Sequence, residues 1–211
     1  LDDRGTILPN LAESWDVSDD TLTYTFKLKS GATFQDGSPV EAKDVVYSVN
    51  RLLTINEGPA YLFEGVLGPD SVKAINSSTV EFKLSKVYTP FLTNTPILFV
   101  INSDVANANK TDSDPWAQDF IANNSIGAGA YKLDSWDRGA TMTMKAYEGY
   151  HLGWSDQPVM EVRFIVTNEE ATVKALAASG ELSMSSDAQA QETYDSIGKM
   201  DGYRVIQYPT A

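Results

Sequence analysis

Two neighbouring segments of this chain place apolar side chains at different periods, and this change constrains the fold more than any other feature. In residues 22–29 apolar and polar side chains alternate, which is typical of a strand with one buried and one solvated face. Residues 39–53 carry apolar side chains at helical spacing. Ser38 is the expected N-cap of that helix, Pro39 its first residue, and Glu41 completes a capping box. The first half is therefore predicted to pack a helix on a sheet.

The composition indicates a folded, acidic protein. The 211 residues are 42% hydrophobic and carry a formal net charge of −13. That charge repels phosphate backbones, so we expect no nucleic-acid partner. With no cysteine and a single histidine, thiolate catalysis, zinc fingers and iron–sulfur clusters are excluded, and we expect no cofactor and no metal. No apolar stretch reaches the ~18 residues of a membrane span.

Further elements follow from local patterns in the first half. Residues 72–75 and 80–85 flank a turn and predict a hairpin. Residues 102–113 are rich in Asn, Asp and Ser, which predicts a surface connection. Residues 114–124 predict a short helix, with Asp114 as its cap and a proline next.

The second half is predicted to form strands alternating with helices, which suggests a parallel crossover unit. The predicted strands are residues 131–137, 141–147, 161–166, 181–184 and 203–208. One predicted helix begins with a capping box formed by Thr167 and Glu170, and another carries Ala190, Tyr194 and Ile197 on one stripe. We place the boundary between the halves near residues 122–125.

The residues that could carry chemistry have simpler interpretations. Gly127-Ala128-Gly129 resembles a dinucleotide loop, but Lys132 stands where the third glycine belongs, so we predict an ordinary bend. His151 has no accompanying serine motif and is predicted to be an ordinary surface or half-packed histidine. Acidic pairs such as Asp112 and Asp114 are expected on solvated faces and helix caps, because a glycosidase needs two carboxylates converging across a cleft.

Five blocks, in order, resemble the extracellular solute-binding proteins of family 5, the peptide- and nickel-binding receptors of ABC importers. The blocks are Leu11-Ala12-Glu13-Ser14-Trp15, residues 31–48, residues 126–133, Gly149-Tyr150 with Gly153-Trp154, and residues 176–184. The second block is the most specific, because the family writes it F-x-D-G-x-P-x-x-A-x-D-V-x-x-S. Two departures stand out: Ser183 replaces a usual Asp, and Ala130 replaces the commoner Pro.

The resemblance implies an α/β fold, with α+β character in a small subdomain. We expect a lobe like those of type II periplasmic binding proteins, with residues 1–122 as the small appended subdomain and residues 123–211 as part of the large lobe I. The second lobe is expected to lie outside this chain, which begins without Met and ends directly after a predicted strand. A piece of a longer, processed protein is therefore expected, and alone it should bind ligand poorly.

The resemblance also implies a function. It implies a non-catalytic receptor that captures oligopeptides in the periplasm or outside the cell and delivers them to the transmembrane subunits of an ABC permease. Such a receptor is expected to be monomeric and tethered by a lipid or signal segment. The family places Tyr61, Ser185, Ser186 and Asp187 near the ligand. Other possible solutes are nickel, haem, an oligosaccharide or an opine. The single imidazole of the chain disfavours nickel. A carboxylate-based hydrolase is the alternative from another class.

Overall fold

The computed structural model describes residues 6–185 and 190–206. The chain folds as two compact units. The first contains Leu1–Asp134 and Met144–Val162, and the second contains Ser135–Thr143 and Arg163–Ala211. These divisions are structural units of the chain, and the assignment of residues 1–122 and 123–211 to lobes of the family fold stays a prediction. In the described ranges no helix is long and apolar enough to cross a bilayer.

A four-stranded sheet with the order β1-β2-β4-β3 forms the centre of the first unit. Its strands are β1 (Ala12–Val17), β2 (Thr23–Leu28), β3 (Val72–Asn76) and β4 (Thr79–Lys83). The paired strands run antiparallel, and β2 faces β4 with Tyr24 opposite Phe82 and Phe26 opposite Val80. The alternating segment and the hairpin are thus confirmed, because these apolar residues are the buried side chains of both strands.

The helix α1 (Ala42–Ile55) packs against this sheet and completes the core. The buried cluster consists of Tyr24, Phe26, Leu28, Ala42, Val45, Val49, Phe63, Val66, Leu67, Val72, Val80, Phe82, Leu84 and Phe91. Burial of such apolar surface supplies most of the free energy of folding. The predicted packing of an amphipathic helix on a half-buried sheet is therefore confirmed.

The predicted beginning of α1 is wrong by three residues. The N-cap is Glu41, whose backbone N–H donates to Asp44 Oδ2 at 2.8 Å. Pro39 pairs with Thr33 in an isolated bridge, and the Val40 N–H donates to the Ala32 carbonyl oxygen at 2.9 Å. Because these bonds fold residues 32–40 back on themselves, the helix cannot include Pro39.

Short helices follow α1 in the first unit. After a 3₁₀ turn (Gly58–Phe63) come α2 (Phe91–Asn94), a second 3₁₀ turn (Thr95–Ile97), α3 (Ser103–Ala108) and α4 (Gln118–Ile121). The surface connection predicted over residues 102–113 is wrong, because it begins with the helix α3. The helix predicted from Asp114 is also misplaced: Asp114 lies in the preceding turn, and the N-cap is Ala117.

A second sheet has the order β5-β6-β7, with β5 (Tyr131–Asp137), β6 (Thr141–Ala146) and β7 (Glu161–Ile165). These three strands are confirmed to within one residue. The strand β7 lies at an edge and exposes apolar side chains, including those of Phe164 and Ile165 (47% and 38% exposed). Val166, which follows the strand, is 59% exposed.

The second unit contains α5 (Glu170–Ala178) and α6 (Gln191–Ile197), which pack through a small core of Val173, Ala177 and Ile197. The predicted capping box does not form, because Glu170 is the first residue of α5 and its carboxylate accepts hydrogen bonds from the Ala190 N–H and the Thr193 hydroxyl.

The two strands predicted beside these helices are not observed. Residues 181–184 form no strand, and neither do residues 203–206, while the remainder of the predicted closing strand lies outside the described residues. Residues 181 and 182 instead continue the end of α5, since both of their N–H groups donate to the Leu176 carbonyl oxygen. The described residues therefore do not form the predicted crossover unit.

Candidate functional site

A dense set of hydrogen bonds in the first unit joins the segment 35–44 to residues 102–103 and to the loop 125–131. We call these residues the junction. Asp36 opens the segment: its Oδ1 accepts from the Ser38 N–H at 2.9 Å and from the Ser38 hydroxyl at 2.6 Å. These bonds hold the pKa of Asp36 below its usual value. Asp36 is therefore an ionised acceptor that fixes the turn.

Asn102 connects that turn to α3. Its Nδ2 donates to Asp36 Oδ2 at 3.0 Å and to Ser38 Oγ at 2.9 Å. Its Oδ1 accepts from the N–H groups of Asp104 and Val105 and so caps α3. The Asn102 side chain is buried, and both its amide nitrogen and its amide oxygen are hydrogen-bonded. Sequence reasoning missed this residue, although an Asn directly before Ser-Asp-Val is a recognisable N-cap signal.

Asp44 is the buried carboxylate of the junction, with only 1% of its surface exposed. Its Oδ1 accepts from the Ser103 N–H at 3.0 Å and from the Ser103 hydroxyl at 2.5 Å, while its Oδ2 accepts from the Glu41 N–H. All three of these donors belong to the backbone or side chains of neighbouring elements, so Asp44 ties α1 to α3.

Gln35 holds the loop 125–131. Its Nε2 donates to the carbonyl oxygens of Gly129 and Tyr131 at 3.1 and 2.8 Å, and its Oε1 accepts from the Ser125 hydroxyl. The Gln35 N–H also donates to the Gly127 carbonyl oxygen at 3.0 Å. The glycines are therefore part of a bend within the junction, as predicted, and the strand β5 follows them instead of the helix that a phosphate loop requires.

His151 is half-buried and makes a structural contact. Its Nε2 lies 2.8 Å from Asn10 Oδ1, its ring packs edge-on against Tyr150, and its buried Nδ1 has no partner among the described residues. Burial lowers the pKa of His151, and the charge of Lys29 lowers it further. The histidine is thus kept neutral, and neither Asn10 nor Tyr150 is arranged as a nucleophile.

Several acidic side chains, including those of Asp114 and Glu170, bond to groups at turns and helix ends. Hydrogen bonds from the N–H groups of Gln118 and Asp119 lower the pKa of Asp114. A hydrogen bond from the Thr193 hydroxyl lowers the pKa of Glu170. A general acid at neutral pH needs a raised carboxyl pKa. Within the described ranges, no three His, Asp or Glu side chains are grouped so as to hold a metal ion.

The residues expected near a ligand lie in different units. Tyr61 belongs to the first 3₁₀ turn and is 70% exposed, so its ring is not part of the core. Ser185 belongs to the second unit and is half-buried. Ser186 and Asp187 lie outside the described residues. The role of all four at a ligand stays a prediction.

Comparison with known proteins identifies the class. The family model of the bacterial extracellular solute-binding proteins, family 5 (middle region), matches residues 6–210, and the chain belongs to this family. It has the mixed α/β fold of type II periplasmic binding proteins. Two of the blocks by which the sequence resembles the family, residues 31–48 and 126–133, meet in the junction, where Gln35 bonds to Gly127, Gly129 and Tyr131.

Three relatives illustrate the likeness. The probable D,D-dipeptide-binding periplasmic protein DdpA of Escherichia coli is 31% identical over 95% of this chain and 38% of its own length. The ABC transporter substrate-binding protein CtaP of Listeria monocytogenes is 30% identical, with a TM-score of 0.70, over 82% of this chain and 35% of its own. NikZ of Campylobacter jejuni, solved with Ni(L-His), is 26% identical, with a TM-score of 0.70, over 82% and 34%. The chain thus spans little more than a third of these relatives.

Proposed function

We propose that this chain forms part of the substrate-binding component of an ABC importer, which captures oligopeptides outside the cytoplasmic membrane and delivers them to the permease. The observation that carries the proposal is the family match over residues 6–210, together with 31% identity to a protein named for D,D-dipeptide binding. Because the chain spans 38% of that relative, residues beyond this stretch are proposed to complete the ligand site.

The proposed division places residues 1–122 in a small appended subdomain and residues 123–211 in the large lobe. Tyr61, Ser185, Ser186 and Asp187 are the proposed ligand contacts. The exposure of the Tyr61 ring supports its proposed contact with the ligand, since an exposed aromatic face is free to stack on a ligand. The junction is proposed to be the rigid support that fixes the lobe, because the side chains of Gln35, Asp36, Asp44 and Asn102 are all hydrogen-bonded within it.

The proposed receptor is not an enzyme. This is supported by the lowered pKa values of Asp36, Asp114 and Glu170 and by the hydrogen bonds that occupy Asp36 and Asp44. We further propose a periplasmic or extracellular location, with a lipid anchor, and a monomeric state. The net charge of −13 supports the absence of a nucleic-acid partner.

A nickel complex is the second candidate ligand, because NikZ was solved with Ni(L-His). The histidine in such a complex supplies its own imidazole, so a receptor with one histidine need not supply the metal ligands. Haem, oligosaccharides and opines are further solutes for the same fold.

Mass spectrometry of the small molecules released by denaturing the native protein, purified from its source, tests the proposal. Peptides are the expected species. A released nickel complex would replace the peptide assignment by the second candidate, and turnover of added peptides would overturn the receptor proposal. The isolated 211-residue chain is expected to bind the same peptide more weakly in calorimetry, and equal affinity would contradict the proposed completion of the site by other residues.

The contribution of Tyr61 is tested separately in the native protein. Tyr61→Ala is expected to lower peptide affinity about tenfold, since stacking on an aromatic ring contributes roughly 0.5–1.5 kcal/mol beyond its area burial. Ile75→Ala, at a site that is also exposed (55%) in β3, serves as the matched control and should leave affinity unchanged. Equal affinity of the Tyr61 variant and the native protein would remove Tyr61 from the ligand site.

A further inference from the structure

A small cleft lies in the first unit between α1 and the segment 97–101. We call it the α1 cleft. Its lining residues are Ser48, Val49, Arg51, Leu52, Pro59, Ile97, Leu98, Phe99, Val100 and Ile101. All but Ser48 and Arg51 present apolar side chains, so the walls are hydrocarbon with two polar side chains. The cleft belongs to neither the junction nor the proposed ligand contacts.

The α1 cleft has a volume of about 160 Å³. An apolar protein cavity of about 150 Å³ is large enough to bind benzene. A group of about six carbon atoms, aromatic or branched, therefore matches the available space. At the rim, the Phe99 side chain is 77% exposed and is thus free to cover a bound group.

Ser48 is not available to a ligand. Its hydroxyl donates to the Asp44 carbonyl oxygen at 2.6 Å and accepts from the Ile101 N–H at 3.0 Å. These bonds tie the segment 97–101 to α1 and define the floor of the cleft. Arg51 is therefore the lining side chain with free polar capacity.

Arg51 makes one hydrogen bond, from its Nε to the Trp116 carbonyl oxygen at 3.1 Å. A guanidinium has five N–H donors, and no other hydrogen bond or ion pair joins it to a residue within the described ranges. The carboxylate of Asp114 is near enough for Arg51 to lower its pKa but lies beyond ion-pair distance. A cation beside an apolar cleft thus lacks a contacting anion.

We propose that the α1 cleft binds a small apolar carboxylate, with its hydrocarbon group in the cleft and its carboxylate on the Arg51 guanidinium. Planar guanidinium groups bind carboxylates through two parallel hydrogen bonds, and apolar walls favour the hydrocarbon part. The same chemistry occurs in a free aromatic acid and in the C-terminal residue of a peptide. Because the whole chain is strongly acidic, the preference for an anion has to come from Arg51 locally.

Calorimetry with phenylacetate and its neutral analogue phenylacetamide tests this on the 211-residue chain. Phenylacetate is expected to bind more tightly, with shifts of the backbone amide resonances of residues 97–101 in NMR spectra. Arg51→Gln should weaken phenylacetate binding about tenfold or more, since hydrogen bonds to charged groups are the strong ones. It should weaken phenylacetamide binding much less, because a neutral amide oxygen is a weaker acceptor than a carboxylate. Arg163→Gln, at an exposed site in β7, is the matched control and should change neither.

Two further variants separate binding from folding. Arg51→Lys keeps the charge and is expected to retain part of the preference for the acid, whereas Leu98→Phe fills the cleft and should weaken the binding of both probes.

The peptide Gly-Gly-Phe, with either a free or an amidated C-terminus, distinguishes the two sources of the carboxylate. If only the free form binds and Arg51→Gln weakens its binding, the source is the C-terminus of a peptide. Equal binding of acid and amide, or no binding up to about 10 mM, overturns the proposal.

Discussion

The carboxylate of Asp44 shows how one residue can organise a fold without taking part in chemistry. Both of its oxygen atoms accept hydrogen bonds, from two donors of Ser103 and from the Glu41 N–H, and the residue is only 1% exposed. Loss of a buried acceptor leaves its donors unsatisfied, which costs about 1–3 kcal/mol for each group.

Asp44→Asn is therefore expected to destabilise the chain by about 2–3 kcal/mol. The amide nitrogen would face a backbone donor in either orientation, leaving one buried N–H group without an acceptor. Urea unfolding followed by circular dichroism measures the change. Asp19→Asn, at an exposed position, is the control and should lie within about 0.5 kcal/mol of the native chain. A similarly small effect at Asp44 would show that these bonds contribute little.

His151 predicts a pH dependence of stability. Its pKa in the folded chain is below the ordinary value of 6.5, because burial disfavours the charged ring. Between the folded and unfolded pKa values, the unfolded chain binds a proton that the folded chain does not. The free energy of unfolding therefore has its full His151 contribution above pH 6.5 and loses it as the pH falls towards the folded pKa.

Urea midpoints measured between about pH 7 and pH 5 test this sign. The native chain is expected to lose stability over this range, and His151→Gln is expected to lose less, since glutamine keeps a donor for Asn10 and does not titrate. Carboxylates titrate in both chains and cancel in the difference. Identical slopes for the two chains would show that His151 is as easily protonated in the folded state as in the unfolded one.

Among the elements, the helix α3 depends on a single side chain. Asn102 caps its first turn and binds Asp36 and Ser38 at the same time. Asn102→Ala is expected to destabilise the chain by about 1–2 kcal/mol, the usual cost of losing an N-cap. Asn109→Ala, which removes a bond from an exposed side chain to the Val105 carbonyl oxygen, should cost less. Thermal unfolding of the two variants gives the comparison, and equal losses would contradict the capping role.

Elements with a strong hydrophobic period were predictable, and those set by specific hydrogen bonds were not. In residues 22–29 and in α1 the apolar side chains fall on one face only. The sequence therefore predicts both the strand and the helix. The beginning of α1 was not predictable, because Ser38 has the sequence signal of an N-cap, yet its hydroxyl is bonded to Asp36 and to Asn102, which is distant in sequence. Residues 102–113 are polar in composition, yet Asn102 and Ser103 are buried, since their donors and acceptors are matched by partners distant in sequence.

The predicted ligand contacts were carried by family resemblance alone. Nothing in the local pattern around Tyr61 distinguishes an exposed aromatic residue from a core residue, and only the structure shows its ring to be exposed. The α1 cleft escaped sequence reasoning for a related reason. Arg51 is one of the polar residues of an amphipathic helix, and its neighbours across the cleft are about 50 residues away in the chain.

For the whole molecule, the two units differ in the size of their cores. The first unit buries large aromatic and aliphatic side chains from a sheet and a helix, whereas the second buries Val173, Ala177 and Ile197 with a few partly buried neighbours. Local unfolding is easier where less apolar surface is buried. Amides of α5 and α6 are therefore expected to exchange with deuterium faster than those of β2 and β4, as measured by mass spectrometry. Equal protection would mean that the whole chain opens as one cooperative unit.

The apolar edge strand β7 affects how the chain behaves in solution. Unpaired strand edges with exposed apolar side chains attract one another, while a charge of −13 on every copy keeps the copies apart. At 0.15 M ionic strength that repulsion reaches only about 8 Å, and at 1 M about 3 Å. Colloidal stability of the isolated chain should therefore decrease as sodium chloride is added, so dilute buffer is the medium in which to handle it.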